Sequence, residues 1–136
     1  MRLVACVAGL SGVVLSACVH VERTLPDGSI ERVPRAELPA YAQSVFKHRN
    51  AVSTEFLMRT PAVADDDPAR GVELDAAEHE MDVACAPVDA LAIAYRDGQH
   101  LGLRAKLHAA QALEDCSSAT TAAEEALADV AGPASR

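Results

Sequence analysis

The sequence predicts an all-α fold: a small three-helix bundle built on a disulfide-linked antiparallel helical hairpin, with a short N-terminal tether that is extended or a β-hairpin. Three observations predict this fold. Alanine, the best helix former, supplies 28 of the 136 residues. Apolar residues recur at alternating steps of three and four along three segments, which is the spacing of one helix face. Two cysteines lie equally far from a turn that contains glycine, as they would in an antiparallel hairpin.

The composition limits the class of protein. A chain of 136 residues is long enough for one modest domain, and it carries only four aromatic residues with no tryptophan. We therefore expect a slender helical domain with a thin core. The formal net charge of −8 argues against nucleic-acid binding, because contacts with phosphates require clustered positive charge.

The first eighteen residues have the pattern of an export signal. Arg2 and the terminal amine precede an apolar stretch from Leu3 to Leu15. At about thirteen residues this stretch is shorter than the roughly 20 residues that a transmembrane helix needs. It has the length of the apolar region of a secretory signal peptide.

The end of that stretch, Leu15-Ser16-Ala17-Cys18, resembles the lipobox of bacterial lipoprotein precursors. The resemblance implies that lipid is attached to the Cys18 thiol, that the chain is cleaved after Ala17, and that the new amine is acylated, with palmitate as a typical acyl group. The alternative is an ordinary secretory signal in which Cys18 is incidental. Val19 stands where an aspartate retains some lipoproteins in the inner membrane, so the resemblance favours the outer membrane, with the domain facing the periplasm.

Removal of the signal peptide takes away Cys6 and one basic residue, and the side-chain charge becomes −9. Cys18 is used for lipid, so Cys85 and Cys116 remain as an even pair in an oxidising compartment, where disulfides form. The predicted parts are a cleaved signal peptide (1–17), a lipidated tether (18–35), a helical domain (36–131) and a flexible tail (132–136).

The tether contains a turn signal. Val19, Val21, Arg23 and Leu25 alternate with polar residues, and Pro26-Asp27-Gly28-Ser29 follows, a composition that favours a tight turn. A small β-hairpin is one interpretation. An extended connection between lipid and domain is the other, since an isolated hairpin is only marginally stable in water.

The spacing of apolar residues predicts three helices, over residues 38–59, 73–96 and 103–130. We expect Thr60-Pro61 to end the first helix and residues 60–72, with three consecutive aspartates, to form a loop. Pro87 predicts a kink in the second helix, or a boundary between two abutting helices at Cys85–Pro87. The predicted core positions are Leu38, Ala42, Val45, Val52 and Phe56 in the first helix, Leu74, Ala77, Met81, Ala84, Val88, Leu91 and Tyr95 in the second, and Ala109, Leu113, Cys116, Thr120, Ala123, Leu127 and Val130 in the third.

The cysteine positions test the hairpin. In an antiparallel pair of helices, residues at the same height have numbers with a constant sum, so the midpoint between Cys85 and Cys116 should fall in the turn. It falls between His100 and Leu101, inside a segment that the glycines alone mark as a turn. We therefore predict a Cys85–Cys116 disulfide; the alternative is two unpaired buried thiols.

The search for catalytic or metal-binding residues finds no complete constellation. His79-Glu80 begins like a zinc-binding HExxH motif, but Val83 stands in place of the second histidine. His79, Asp82 and Cys85 share a helix face, but Cys85 is assigned to the disulfide. We therefore predict no catalytic residues, no metal site and no cofactor other than the lipid on Cys18.

The first helix carries the basic residues Lys47, His48, Arg49 and Arg59 in an acidic chain. The favoured interpretation is pairing with the carboxylates of the second helix, and the alternative is contact with an acidic partner. Arg49 lies on the apolar stripe, so it needs a carboxylate partner or a polar ligand.

These observations predict a lipid-anchored cell-envelope lipoprotein that acts as a non-catalytic interaction, assembly or inhibitor module with an envelope protein as partner. Lys47, Arg49 and Arg59 are the predicted contact residues. The alternative is a periplasmic small-ligand or metal-binding helical module that uses the core around Arg49 and the aromatic residues.

Overall fold

A computed structural model of the chain describes residues 21–25 and 27–131. The predicted signal peptide, the predicted lipidation residue Cys18 and the predicted tail at 132–136 lie outside these residues. Within them, three long helices follow a short antiparallel β-hairpin, which confirms the predicted all-α bundle. The elements are β1 (Glu22–Thr24), β2 (Ile30–Arg32), α1 (Leu38–Asp66), α2 (Pro68–Arg96) and α3 (Leu103–Ala131).

Helices α2 and α3 form the antiparallel hairpin at the predicted turn. Helix α2 ends with a Schellman motif, in which the Gly98 amide donates to the Tyr95 carbonyl (3.2 Å) and the Gln99 amide to the Ala94 carbonyl (2.8 Å). This motif needs a left-handed residue, and Gly98 adopts a φ of +68° without steric cost. The glycine therefore reverses the chain where the midpoint of the cysteines placed the turn.

The core lies along the axis between the three helices. Phe56 of α1 and Met81 of α2 are fully buried, and they pack in one apolar cluster with α3. The predicted stripes are largely confirmed, but Tyr95 at the end of α2 is 62% exposed. The buried predicted positions are Val45, Val52, Phe56, Leu74, Met81, Val88, Ala109, Leu113, Cys116, Thr120, Ala123 and Leu127.

Helix α1 continues through Pro61 to Asp66, so the predicted end of the helix at Thr60-Pro61 and the predicted loop over 60–72 are wrong. Proline removes one backbone donor and disfavours helix at the preceding residue. Tertiary packing compensates here, because Val63 packs against the core and Ala64 lies against Gly71 of α2.

Helix α2 begins at Pro68, five residues before the predicted start, and the third aspartate of the predicted loop caps it. The Asp67 carboxylate accepts hydrogen bonds from the amides of Ala69 (3.2 Å) and Arg70 (3.3 Å). Asp67 itself is extended, with a φ of −144°, as expected for a residue before proline. A capping side chain followed by proline at the first helical position is a common helix start.

Helix α2 also continues through Pro87 as one α-helix, so the predicted boundary between two abutting helices is wrong. The missing amide of Pro87 costs the helix one hydrogen bond. Buried side chains on both sides of the proline, Cys85 and Val88, hold the two halves of the helix against the core.

The β-hairpin forms, and it packs against the helices. Glu22, Arg23 and Thr24 pair with Arg32, Glu31 and Ile30, respectively. Val21 and Val33, at the open end of the hairpin, are each only 6% exposed and belong to the main core cluster. Packing on the bundle supplies the stability that an isolated two-stranded hairpin lacks.

Glu114 of α3 connects the hairpin to α1. Its carboxylate accepts hydrogen bonds from the Thr24 hydroxyl (2.6 Å) and from the Tyr41 hydroxyl (3.1 Å). Burial and the adjacent Glu114 carboxylate raise the pKa of Tyr41 to about 12, so the phenol stays protonated and acts as a donor. These contacts join β1, α1 and α3 at one point.

We expect Gly71→Ala to destabilise the protein although alanine favours helices. A Cβ at position 71 would lie 2.6 Å from the Ala64 Cβ and 2.9 Å from its Cα. Overpacking of this kind costs about 1–3 kcal/mol, which exceeds the gain of up to about 1 kcal/mol in helix propensity. Urea unfolding followed by circular dichroism measures the difference.

The matched control is Gly102→Ala, because a Cβ there meets no atom within 4 Å. Gly102 directly precedes α3, where alanine caps a helix less well than glycine, so we expect a loss of about 0.5–1 kcal/mol that involves no overpacking. A Gly71→Ala variant as stable as the native protein would contradict the close approach of α1 and α2.

Candidate functional site

The predicted disulfide is present in the structure. Cys85 of α2 and Cys116 of α3 are bonded, with their Cα atoms 4.5 Å apart, and both residues are buried. Helices normally pack about 8–10 Å apart between axes. Small neighbours permit the closer approach of the backbones, since Ala112, Ala119 and Ala84 lie next to the bridge along the two helices.

Arg49 has carboxylate partners, as its position on the apolar stripe predicts. Its Nη2 atom lies 2.7 Å from Asp82 Oδ1 and 3.2 Å from Asp89 Oδ2 of α2, and its side chain is only 19% exposed. The two aspartates are seven residues apart and so share one face of the helix. We call Arg49, Asp82 and Asp89 the arginine cluster.

The arginine cluster contains two carboxylates and one guanidinium. Burial raises the pKa of Asp89, and Asp82 adds to this shift while Arg49 opposes it. Burial, Asp82 and Asp75 likewise raise the pKa of Glu78 one turn away, again against Arg49. An anionic ligand at Arg49 would meet these carboxylates, so the geometry favours an internal ion pair.

The other basic residues of α1 do not pair with α2. Arg59 lies 3.8 Å from Glu55 of its own helix, and His48 Nε2 lies 2.9 Å from Glu124 of α3. Lys47 is exposed, and no carboxylate of the described residues lies within 4 Å of it. Pairing with α2 is therefore confirmed for Arg49 and wrong for Lys47, His48 and Arg59.

Two of the three residues on the helix face of His79, Asp82 and Cys85 make other contacts. Cys85 is bonded to Cys116, and Asp82 pairs with Arg49. Over residues 21–25 and 27–131, no group of three or more His, Cys, Asp and Glu side chains is arranged to hold a metal ion.

An apolar groove, which the sequence analysis missed, opens between the three helices where α1 begins, α2 ends and α3 begins. Its volume is about 540 Å³, within the range of small-molecule sites in proteins. The sequence did contain one signal for it, because two stripe positions near this end, Ala42 and Ala109, are alanines. The lining residues are Leu38, Pro39, Ala42, Gln43, Phe46, Val88, Leu91, Ala92, Tyr95, Lys106, Ala109, Ala110 and Leu113.

Comparison of the chain with protein-family models, with curated proteins and with solved structures finds no match.

None of the helices in the described part of the chain combines the length and the apolar character that crossing a bilayer requires.

We expect the double variant Cys85→Ala/Cys116→Ala to lose about 3–4 kcal/mol of unfolding free energy, because the bridge closes a loop between residues 31 positions apart. Urea unfolding measures the loss. Reduction of the native protein serves as the control and should cause a similar loss. A mass increase of the peptides that contain Cys85 and Cys116, on alkylation without prior reduction, would show free thiols there and contradict the bridge.

Replacement of Asp89 by asparagine should change how stability depends on pH. Because folding raises the pKa of Asp89 above its ordinary 3.8, this carboxyl stabilises the native fold most when protonated, and that contribution declines as pH rises above 3.8. Asparagine stays neutral. The stability of Asp89→Asn relative to the native protein should therefore increase between about pH 3.5 and pH 7.

Urea unfolding at several pH values tests this expectation. Asp65→Asn, an exposed aspartate at the end of α1, corrects for the change in net charge. We expect the difference in unfolding free energy between Asp89→Asn and the native protein to change with pH after this correction. A constant difference would contradict a partly buried Asp89 with a raised pKa.

Proposed function

We propose that the protein is a lipid-anchored lipoprotein of the bacterial cell envelope, held at the outer membrane and facing the periplasm, and that it acts as a non-catalytic interaction, assembly or inhibitor module. The observation that carries the anchor is Leu15-Ser16-Ala17-Cys18 at the end of an apolar stretch of signal-peptide length. The disulfide supports export, because such bonds persist in oxidising compartments.

The packing of the hairpin defines how the anchor would act. Val21 is buried in the core, only three residues after Cys18. Three residues reach at most about 10–11 Å, so lipid on Cys18 would hold the helical domain close against the bilayer surface. The hairpin end of the module would then lie at the membrane, and its 29-residue helices would reach at most about 44 Å away from that end.

Charged groups that connect the elements of the described chain hold the fold together, so an interaction role falls to other surface side chains. The arginine cluster joins α1 to α2, and Glu114 joins the hairpin to α1 and α3, so these groups are engaged in holding the fold together. Side chains that remain on the surface of α1 are Leu57 (73% exposed), Met58 (68%) and Arg59. Lys47 lies eleven residues before Met58, three helical turns along the same side.

We call Lys47, Leu57, Met58 and Arg59 the α1 surface, an exposed arc of the helix on which Leu57 and Arg59 lie about 100° to either side of Met58. This arc combines apolar area with positive charge in an acidic protein, and Arg59 shares its charge with Glu55. It suits an envelope protein whose contact region is partly apolar and acidic. Arg49, which the sequence also suggested as a contact residue, is assigned to the arginine cluster instead.

Metabolic labelling with an alkyne-tagged fatty acid tests the anchor. We expect label on the native protein and none on Cys18→Ala, because the lipobox cysteine is the attachment point. Cys6→Ala is the matched control and should keep the label. Equal labelling of the native protein and Cys18→Ala would contradict the anchor.

Cross-linking in intact envelopes tests the interaction role. We expect one stoichiometric cross-linked partner with the native protein, and substantially less of it with Lys47→Glu/Arg59→Glu, since charge at an interface rim speeds association. The control changes the same amount of charge at the turn between α2 and α3, away from Leu57–Arg59, with Arg96→Glu/Arg104→Glu. Equal loss in both variants would argue against the α1 surface.

A second candidate function is the small-ligand module. The apolar groove favours its ligand-binding form, and the described residues offer no comparable support for its metal-binding form.

A further inference from the structure

We propose that the apolar groove binds the alkyl chain of a free long-chain fatty acid, with the carboxylate of the fatty acid at Lys106. The proposal deepens the second candidate function and needs no lipid on Cys18. It rests on the shape of the groove, on the residues that line it and on the position of one cation at its mouth.

The groove is apolar and half-open at this end of the bundle. Phe46 of α1, Leu91 of α2 and Leu113 of α3 line it, so a ligand there would contact side chains from all three helices on one side and solvent on the other. A volume of about 540 Å³ fits a single small amphiphile. An alkyl chain gains free energy in proportion to the apolar surface that it removes from water.

The groove stays open because small residues line it. Ala42, Ala92, Ala109 and Ala110 stand where larger side chains would fill the space. The aromatic residues at this end do not fill it, since Phe46 is only partly buried and Tyr95 is 62% exposed. Close packing of α2 on α3 is maintained farther along by the disulfide.

The mouth of the groove carries one charged lining residue, Lys106, and its charge is positive. Lys106 is exposed, its Nζ atom lies 5.8 Å from the centroid of the Tyr95 ring, and no carboxylate of the described chain lies within 4 Å of it. The first turn of α3, where Lys106 lies, adds the positive end of the helix dipole.

These features select one class of ligand. The apolar interior selects a hydrocarbon chain, and the unpaired cation at the solvent-exposed rim selects an anionic head group. A single-chain carboxylate satisfies both conditions, with its chain against Leu91 and Leu113 and its head group beside Lys106.

The test is displacement of a fluorescent fatty acid, whose emission rises in apolar surroundings, by palmitate. The sample is the full-length protein carrying Cys18→Ala, oxidised, so that no attached lipid competes. We expect saturable binding that palmitate displaces. Lys106→Glu should weaken the binding of palmitate about fivefold, because it removes an exposed charge pair. It should leave the binding of the uncharged hexadecanol unchanged.

Ala92→Trp, which places a large side chain in the groove, should abolish binding of both ligands. Ala110→Phe provides a second filling variant, and circular dichroism confirms that each variant is folded. Arg70→Glu, at the far end of α2, is the matched charge control and should bind palmitate as the parent protein does.

Four results would overturn the proposal. The first is a parent protein without saturable binding, and the second is a folded Ala92→Trp or Ala110→Phe variant that binds normally. The third is an equal effect of Lys106→Glu on palmitate and hexadecanol. The fourth is a lipidated native protein that does not bind palmitate, because this result would show that its own acyl chain occupies the groove. Because the assay uses Cys18→Ala, failure of the anchor would leave its result unchanged.

Discussion

The close approach of α2 and α3 at the Cys85–Cys116 disulfide is the constraint on which the rest of the structure depends. With four aromatic residues and many alanines, the chain has few large side chains with which to bury apolar area. The covalent link sets the register of the two helices and reduces the conformational freedom of the unfolded chain. Helix α1 and the hairpin pack on the surface that α2 and α3 form together.

Small residues have opposite consequences at different places along the bundle. Near the disulfide, small side chains bring the backbones together, and at the crossing of α1 and α2 Gly71 does the same against Ala64. Beyond the disulfide, where α1 begins, α2 ends and α3 begins, small residues leave the apolar groove.

Polar contacts determine how α1 and the hairpin are attached. Arg49 reaches two carboxylates of α2 from an apolar stripe, and Glu114 accepts donors from β1 and α1. Partly buried hydrogen-bonded charges favour one arrangement of the helices, because any other arrangement would leave them unpaired. Docking of the hairpin brings the start of the domain to within three residues of Cys18, which connects the packing of the core to the proposed distance from the membrane.

Local patterns in the sequence determined the three helical stripes, the turn at Gly98 and the pairing of Cys85 with Cys116, because each depends on periodicity or on fixed spacing along the chain. A local pattern also predicts the export signal. Only the tertiary structure decided that α1 passes through Pro61, that Arg49 takes Asp82 and Asp89 as partners, and that a groove lies beside Lys106. The physical reason is that these features depend on side chains from different helices. Packing of Val63 and Ala64 outweighs the local cost of a proline, and an unfilled space exists only relative to its neighbours.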